Sequence, residues 1–165
     1  MMGSMRIAMA VVLVLTAVPL PVSAHAPAKP EAAGDALPQS AQSAAETVDA
    51  FHAALRRGDT NAAALLLADE ALVFEEGGVE RTKAEYASSH LPADAAFSQV
   101  VGSTVTRRSG GSDGALAWIA SEGRMTGTYK GKEVDRVTTE TMLLRRIGQA
   151  WKVVHIHWSS AAAHD

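Results

Sequence analysis

An α+β domain is predicted by two observations. Helix-start signals and apolar residues at helical spacing occupy the first half of the globular region, and three long stretches joined by short glycine turns fill the second. A chain of 165 residues, 47% of them apolar, is long enough to bury one core. Fifteen basic and eighteen acidic residues give a formal charge of -3 with no long run of either sign. That balance excludes a clustered basic face for nucleic acid and a polybasic membrane dock. With no cysteine present, disulfides, thiolate metal sites and cysteine nucleophiles are excluded.

The elements follow in order. Ser43, Ala44, Ala45 and Glu46 form a capping box, opening a helix with Val48, Phe51 and Leu55 on its apolar face. Gly58 stops it. Asp59 or Thr60 caps a second helix over 62–68. A short strand over 72–74 ends at Gly77 and Gly78. A second capping box spans Thr82 to Glu85, and its helix ends near Leu91 because Pro92 disfavours helix in the residue before it. Asp94 caps one more turn, reaching Phe97. Strands over 99–108, 115–129, 133–146 and 150–159 are separated by turns at 109–114, Lys130-Gly131-Lys132 and Gly148-Gln149. Joined so closely, the last three make an antiparallel meander.

The N-terminus has the layout of a secretory signal. Arg6 precedes an apolar stretch over 7–18, Pro19 and Pro21 interrupt it, and Val22-Ser23-Ala24 offers a small-residue cleavage site. The stretch falls short of the ~20 residues that span a bilayer. The expected layout is a signal peptide over 1–24, a flexible Ala- and Pro-rich linker over 25–42, the α+β domain over 43–160 and a tail over 161–165. The mature protein is expected in the periplasm or secreted, with no membrane association after cleavage.

The order helix, helix, strand, helix, then four strands resembles the cone of the nuclear transport factor 2-like (SnoaL-like) superfamily. Phe51, Ala54, Leu55, Gly58 and Asp59 resemble the end of its first helix. The stretch 67–74 resembles the approach to its first strand, and Trp151 to Ser160 the last strand of exported members. The resemblance implies helices packed on a curved antiparallel sheet, a pocket between them, and a homodimer through the outer sheet face. It leaves function open, because this fold hosts isomerases, dehydratases, hydrolases and binding modules.

Site candidates come from the strands. Strict alternation places Trp151, Val153, His155, His157 and Ser159 on one face of the last strand, with Ile156 and Trp158 on the other. Histidines at i and i+2 can reach one metal if a third ligand joins them. His90, Asp94 and His52 are candidates, and His90, His155 and His157 are the expected set, for zinc or copper(II). A resembling subgroup carries a second histidine where Ser89 stands. The alternative is that these are half-buried, hydrogen-bonded strand histidines. His52, beside Phe51, reads as a satisfied core histidine. Glu140 shares a face with Arg136, Thr138, Met142 and Leu144; it is either a general base of raised pKa or half of an Arg–Glu pair. Glu122 and Arg124 share a face with Trp118 and Thr126. No G-x-S-x-G elbow in a strand-to-helix context and no phosphate-binding loop is present; Gly110 and Gly111 read as turn glycines.

The expected function is a non-catalytic periplasmic pocket protein for a small ligand or a divalent metal ion. The alternative is an isomerase- or dehydratase-type enzyme using His155 or His157 with Glu140 or Asp94. Export makes a direct prediction: mass spectrometry of the native protein should find His25 as the mature N-terminus. An intact chain in the membrane fraction would refute cleavage.

Overall fold

The structure is a computed structural model that describes residues 37–163. The expected signal peptide and the linker as far as residue 36 lie outside the described residues. The rest of the expected linker belongs to the domain: Leu37 packs on the core, and a 3-10 turn, Gln39–Ala41, buries Ala41 completely.

The first helix, α1 (Gln42–Arg56), buries Val48, Phe51 and Leu55, as their spacing requires. Its expected capping box is not used. The Ser43 hydroxyl instead accepts from Trp151 Nε1 at 2.9 Å, tying the helix start to the last strand. Gly58 ends the helix with φ +71°, a conformation that favours glycine. Asp59 caps α2 (Thr60–Leu66) by accepting from the Ala62 amide. Strand β1 (Leu67–Glu75) turns through Gly77, at φ +84°, into the short β2 (Gly78–Glu80). Thr82 caps α3 (Lys83–Ser88), with Glu85 reaching back to the Arg81 amide. Pro92 does not merely end that helix. It sits in the first turn of a further one, α4 (Leu91–Ser98), where its missing N–H costs nothing.

Four long strands complete the fold: β3 (Val101–Ser112), β4 (Leu116–Tyr129), β5 (Lys132–Ile147) and β6 (Ala150–Ala162). Among the described residues the sheet order is β2-β1-β6-β5-β4-β3. The meander is antiparallel as expected, but the sheet is mixed. β1 runs parallel to β6, which the long connection through α3, α4 and the meander allows.

Two features of the sheet escape simple alternation. Leu144 pairs with Val153 and Leu143 with His155, so Val154 is an extra residue in β6, a β-bulge. The bulge shifts the strand's phase by one residue. Trp151 and Val153 before it, and Ile156 and Trp158 after it, therefore all face the helices. His155 and His157 turn to the open face. The expected alternation is corrected here, and so is the expectation that Ile156 and Trp158 cover the outer face. That face instead carries a cross-strand row of Leu72, His155, Leu143 and Trp118.

The second feature concerns Gly110 and Gly111, which lie within β3 rather than in a turn. A Cβ at Gly110 would lie 2.8 Å from Leu37, 2.9 Å from the Ile119 side chain and 2.9 Å from the Trp118 carbonyl. The absent side chain lets the N-terminal turn cross the sheet edge. Gly110→Ala is expected to cost about 1–3 kcal/mol by urea unfolding, because backbone and buried Ile119 must both give. Gly111→Ala meets only the half-exposed Trp118 indole, which can rotate, and is expected to cost less.

Candidate functional site

A cavity of about 190 Å³ lies between α1, α4 and the end of β1 on one side and β3 to β6 on the other. Helix α1 contributes its polar edge. Asp49, His52 and Arg56, spaced i, i+3 and i+7, all reach the cavity beside the buried stripe of Val48, Phe51 and Leu55. Phe97, Val105 and Met125 supply apolar wall.

The carboxylate of Glu140 is the centre of the first group. Its Oε2 accepts from Trp158 Nε1 at 2.7 Å and from His52 Nε2 at 2.7 Å. The Trp158 indole is held by stacking on Phe51, with centroids 6.3 Å apart. A register shift in β3 between Val105 and Arg107 brings Arg108 inward. There it donates to Ser121 Oγ at 3.3 Å and to Asp49 Oδ1 at 2.8 Å. Burial pushes the Glu140 pKa up, but the hydrogen bond and charge of His52, with Trp158 and Arg108, outweigh it and hold the carboxyl below its ordinary range. The side chain of His52 is 30% exposed and that of Glu140 only 9%, so the imidazole is the accessible member and the carboxylate stands behind it.

The second group holds two carboxyls of the opposite tendency. Asp94 on α4 is raised by burial, partly offset by a 2.7 Å hydrogen bond from Tyr86 and the charge of His90. Glu75, at the end of β1, is raised to about 7, by burial first and then by the charges of Asp94 and Glu76. Tyr86 is fully buried, and desolvation with the Asp94 charge keeps its hydroxyl protonated.

Glu140 and Asp94, two of the residues singled out in the sequence, line this cavity. His155 does not. It stands on the open face, where its Nδ1 donates to the Leu72 carbonyl at 2.9 Å and its ring meets Phe74 edge-on. His157 packs against the same phenylalanine. His90 is elsewhere, paired with the buried carboxylate of Glu80, to which Ser89 also donates at 3.3 Å. Glu80 pairs with Val73 and so shares its helix-covered face. The expected metal set of His90, His155 and His157 is thus split across the sheet, because the Val154 bulge turned the strand pair outward. Among the described residues no three His, Cys, Asp or Glu side chains converge as metal ligands. Arg136, expected beside Glu140, instead donates to Ser160.

Three of the residues that shape the site, Glu75, Arg108 and Trp158, lay outside the sequence candidates, and His52, weighed there as a third metal ligand, had been assigned to the core. The signal for His52 was present as the Asp49, His52, Arg56 spacing, a polar edge running alongside an apolar stripe.

Comparison with known proteins agrees with this architecture. Residues 44–163 match the family model of the SnoaL-like domain. A candidate ketosteroid isomerase from Shewanella frigidimarina is 34% identical over 75% of this chain and 100% of its own, with a TM-score of 0.70. A candidate dehydratase of the nuclear transport factor 2-like family from Streptomyces avermitilis is 18% identical, covering 75% of this chain and 97% of its own at a TM-score of 0.64. A nuclear transport factor 2-like superfamily protein from Salmonella enterica covers 76% of this chain and 94% of its own, at 16% identity and a TM-score of 0.64. These last two share the fold alone. No curated protein matches the chain.

The hydrogen bonds on Glu140 predict a pH-dependent stability. Its folded pKa lies below the ordinary glutamate value of 4.5, so the ionised group stabilises the fold above that pH, and the contribution is lost as pH falls through the depressed folded value. Trp158→Phe removes one of two donors to Oε2, an effect of about 1.5–3 kcal/mol for a charged acceptor. Urea unfolding should show this loss at pH 7 and a smaller one at pH 3; the indole's packing contributes a pH-independent remainder. Equal losses at both pH values would refute the assignment.

Proposed function

The chain belongs to the SnoaL-like domain family, and on that premise we propose that its cavity is the active site of a proton-transfer enzyme of isomerase or dehydratase type. One observation carries this reading: His52, partly exposed in the cavity wall, donates from Nε2 to the buried carboxylate of Glu140 at 2.7 Å. That bond fixes the tautomer with the proton on Nε2 and leaves Nδ1 as the acceptor. Glu140, ionised and held by Trp158, then stabilises the imidazolium that forms when Nδ1 takes a proton. Trp158 and Arg108 cost little reorganisation, since both are already bonded in place.

The chemistry available is acid–base. The chain has no cysteine, and its G-x-S-x-G string, residues 110–114, joins β3 to β4 rather than a strand to a helix, so it forms no nucleophile elbow. The apolar wall suits an apolar-bodied molecule, and the histidine suits abstraction of a proton from carbon next to a carbonyl. The candidate ketosteroid isomerase and candidate dehydratase among its structural neighbours bear names of this class. A purely binding role, the first reading of the sequence, ranks second, because an imidazole backed by a buried carboxylate is more than a ligand contact requires.

The test is exchange of α-protons for deuterium in small cyclic and aryl ketones, 1-indanone first, followed by NMR in D2O. The protein should accelerate exchange, and His52→Gln should lower the rate about 100-fold or more. Glu140→Gln should lower it as well, by losing the imidazolium's counter-charge. Rates equal to buffer, or unchanged in His52→Gln, would return the cavity to a binding role.

A further inference from the structure

One cross-strand row forms the floor of the cavity. Arg108 of β3 is in register with Ser121 of β4, Ser121 with Glu140 of β5, Glu140 with Trp158 of β6, and Trp158 with Glu75 of β1. The row has unlike ends. At one end Ser121, only 8% exposed, lines the cavity, and its oxygen accepts from Arg108 Nε. The hydroxyl hydrogen is thereby turned away from the guanidinium, and among the described residues no acceptor takes it.

The other end is acidic. Glu75 and Asp94 reach the cavity there, with Glu76 beside them. Asp94 is fixed from behind, its Oδ2 accepting from fully buried Tyr86 at 2.7 Å. The nearby cations are engaged elsewhere: Arg108 with Asp49, His52 with Glu140, and His90 with Glu80. Arg56 also lines the cavity, exposed on the last turn of α1. Its charge is not among the main influences on Glu75, which are burial, Asp94 and Glu76, nor on Asp94, where the cation that counts is His90. Three carboxyls therefore meet at this end with one guanidinium at the rim.

On the proton-transfer reading of this cavity, we propose that its substrate is an apolar-bodied cationic amine, with the ammonium between Glu75 and Asp94 and an oxygen acceptor at its far end on the Ser121 hydroxyl. An ammonium carries three donors and can bond both carboxylates at once, and such charge-assisted bonds are the strong ones. Burial and the neighbouring charges raise the Glu75 carboxyl to about 7, and a bound cation removes part of that repulsion. An uncharged ligand leaves the repulsion in place, and an anion adds to it. Ser121 and Glu75 stand three strand steps apart, about 14 Å at ~4.8 Å per step. One ring with a short arm at each end suits that span, its body against Phe97, Val105 and Met125. His52, over Glu140, stands between the two ends.

The test is a charge series on one body, read by isothermal titration calorimetry at about pH 7, where an alkylamine of pKa about 10 is protonated. The probes are 4-(2-aminoethyl)benzamide, its alcohol analogue 4-(2-hydroxyethyl)benzamide and its acid analogue 4-(2-carboxyethyl)benzamide. The amine should bind at least about 10-fold more tightly than the alcohol, and the carboxylate more weakly than either. Glu75→Gln and Asp94→Asn should each lower amine affinity about 10-fold and leave the alcohol unmoved. Ser121→Ala should weaken the benzamide amine about 5-fold and leave phenethylamine, which lacks the acceptor, unmoved. An amine no tighter than the alcohol, or weaker than about 10 mM, overturns the proposal. So does a carboxylate that binds best and loses its affinity in Arg56→Gln, which would make Arg56 the anchor of an anion. The series on the wild-type chain needs no variant, so it decides the matter even if Asp94→Asn does not fold. Ketone exchange is a separate readout: its absence fails the proton-transfer reading, whereas a flat charge series fails this proposal alone.

Discussion

The extra residue at Val154 is the constraint on which the rest of the site depends. A bulge leaves a strand residue out of the ladder, and a lost hydrogen bond is worth about 1 kcal/mol. In unbulged phase, β6 would turn Ile156 and Trp158 to the open face. Burying a tryptophan side chain of ~200 Å² contributes at most about 5 kcal/mol at ~25 cal/mol/Å², and Trp158 realises much of it against Phe51 and Tyr86. Glu140 would also lose the indole N–H, and a buried carboxylate short of donors costs several kcal/mol more. The bulge is the cheaper state by a wide margin. It also brings Trp151, before the bulge, to Ser43 at the start of α1 and Trp158, after it, to Glu140. One irregular residue thereby sets the helix start and the cavity floor together.

With that floor in place, the cavity holds two carboxyl groups in opposite electrical conditions. Glu140 faces donors and cations and stays ionised; Glu75 faces burial and other acids and keeps a proton near neutral pH. Environments that push two acids apart in pKa separate their tasks. The arrangement is costly to folding, since a pair of like charges beside apolar wall is a local conflict that a purely structural domain would not retain. Such conflicts concentrate where chemistry is done.

Much of the fold was legible because its signals are local. Gly58 as a helix stop, and Asp59 and Thr82 as caps, act within a few residues of themselves, and the structure uses all three. The strands of the meander were located by their turns. What was not legible depends on partners far along the chain. Ser43 looks like an N-cap until Trp151 takes its hydroxyl. Gly110 looks like a turn glycine until Leu37 crosses over it. The parallel pairing of β1 with β6 joins segments 80 or more positions apart, and no local pattern announces it. The site divided the same way: Glu140 stood out as a carboxylate beside apolar strand residues and Asp94 as an acid at a helix start, whereas His52 and Glu75 acquire their roles only from what folds against them.

The three strand and loop histidines show why residue type and spacing are a weak guide to chemistry. The i, i+2 pair His155 and His157 satisfies the geometric rule for shared ligation, yet a one-residue phase shift directs both rings to the open face, against Phe74. His52 satisfies no motif and becomes the reactive candidate because a buried carboxylate stands behind it. The distinction is energetic. A histidine on the open face can meet its hydrogen-bonding needs from water or a backbone carbonyl, as His155 does with Leu72. Glu140 has no such freedom: sealed under α1, it must draw its donors from the side chains around it. The buried acid therefore selects its histidine, and the histidine it selects is oriented by that same bond. In a cone of this kind the place to look for the working imidazole is the helix edge that faces the buried strand carboxylate, here Asp49, His52 and Arg56 over Glu140.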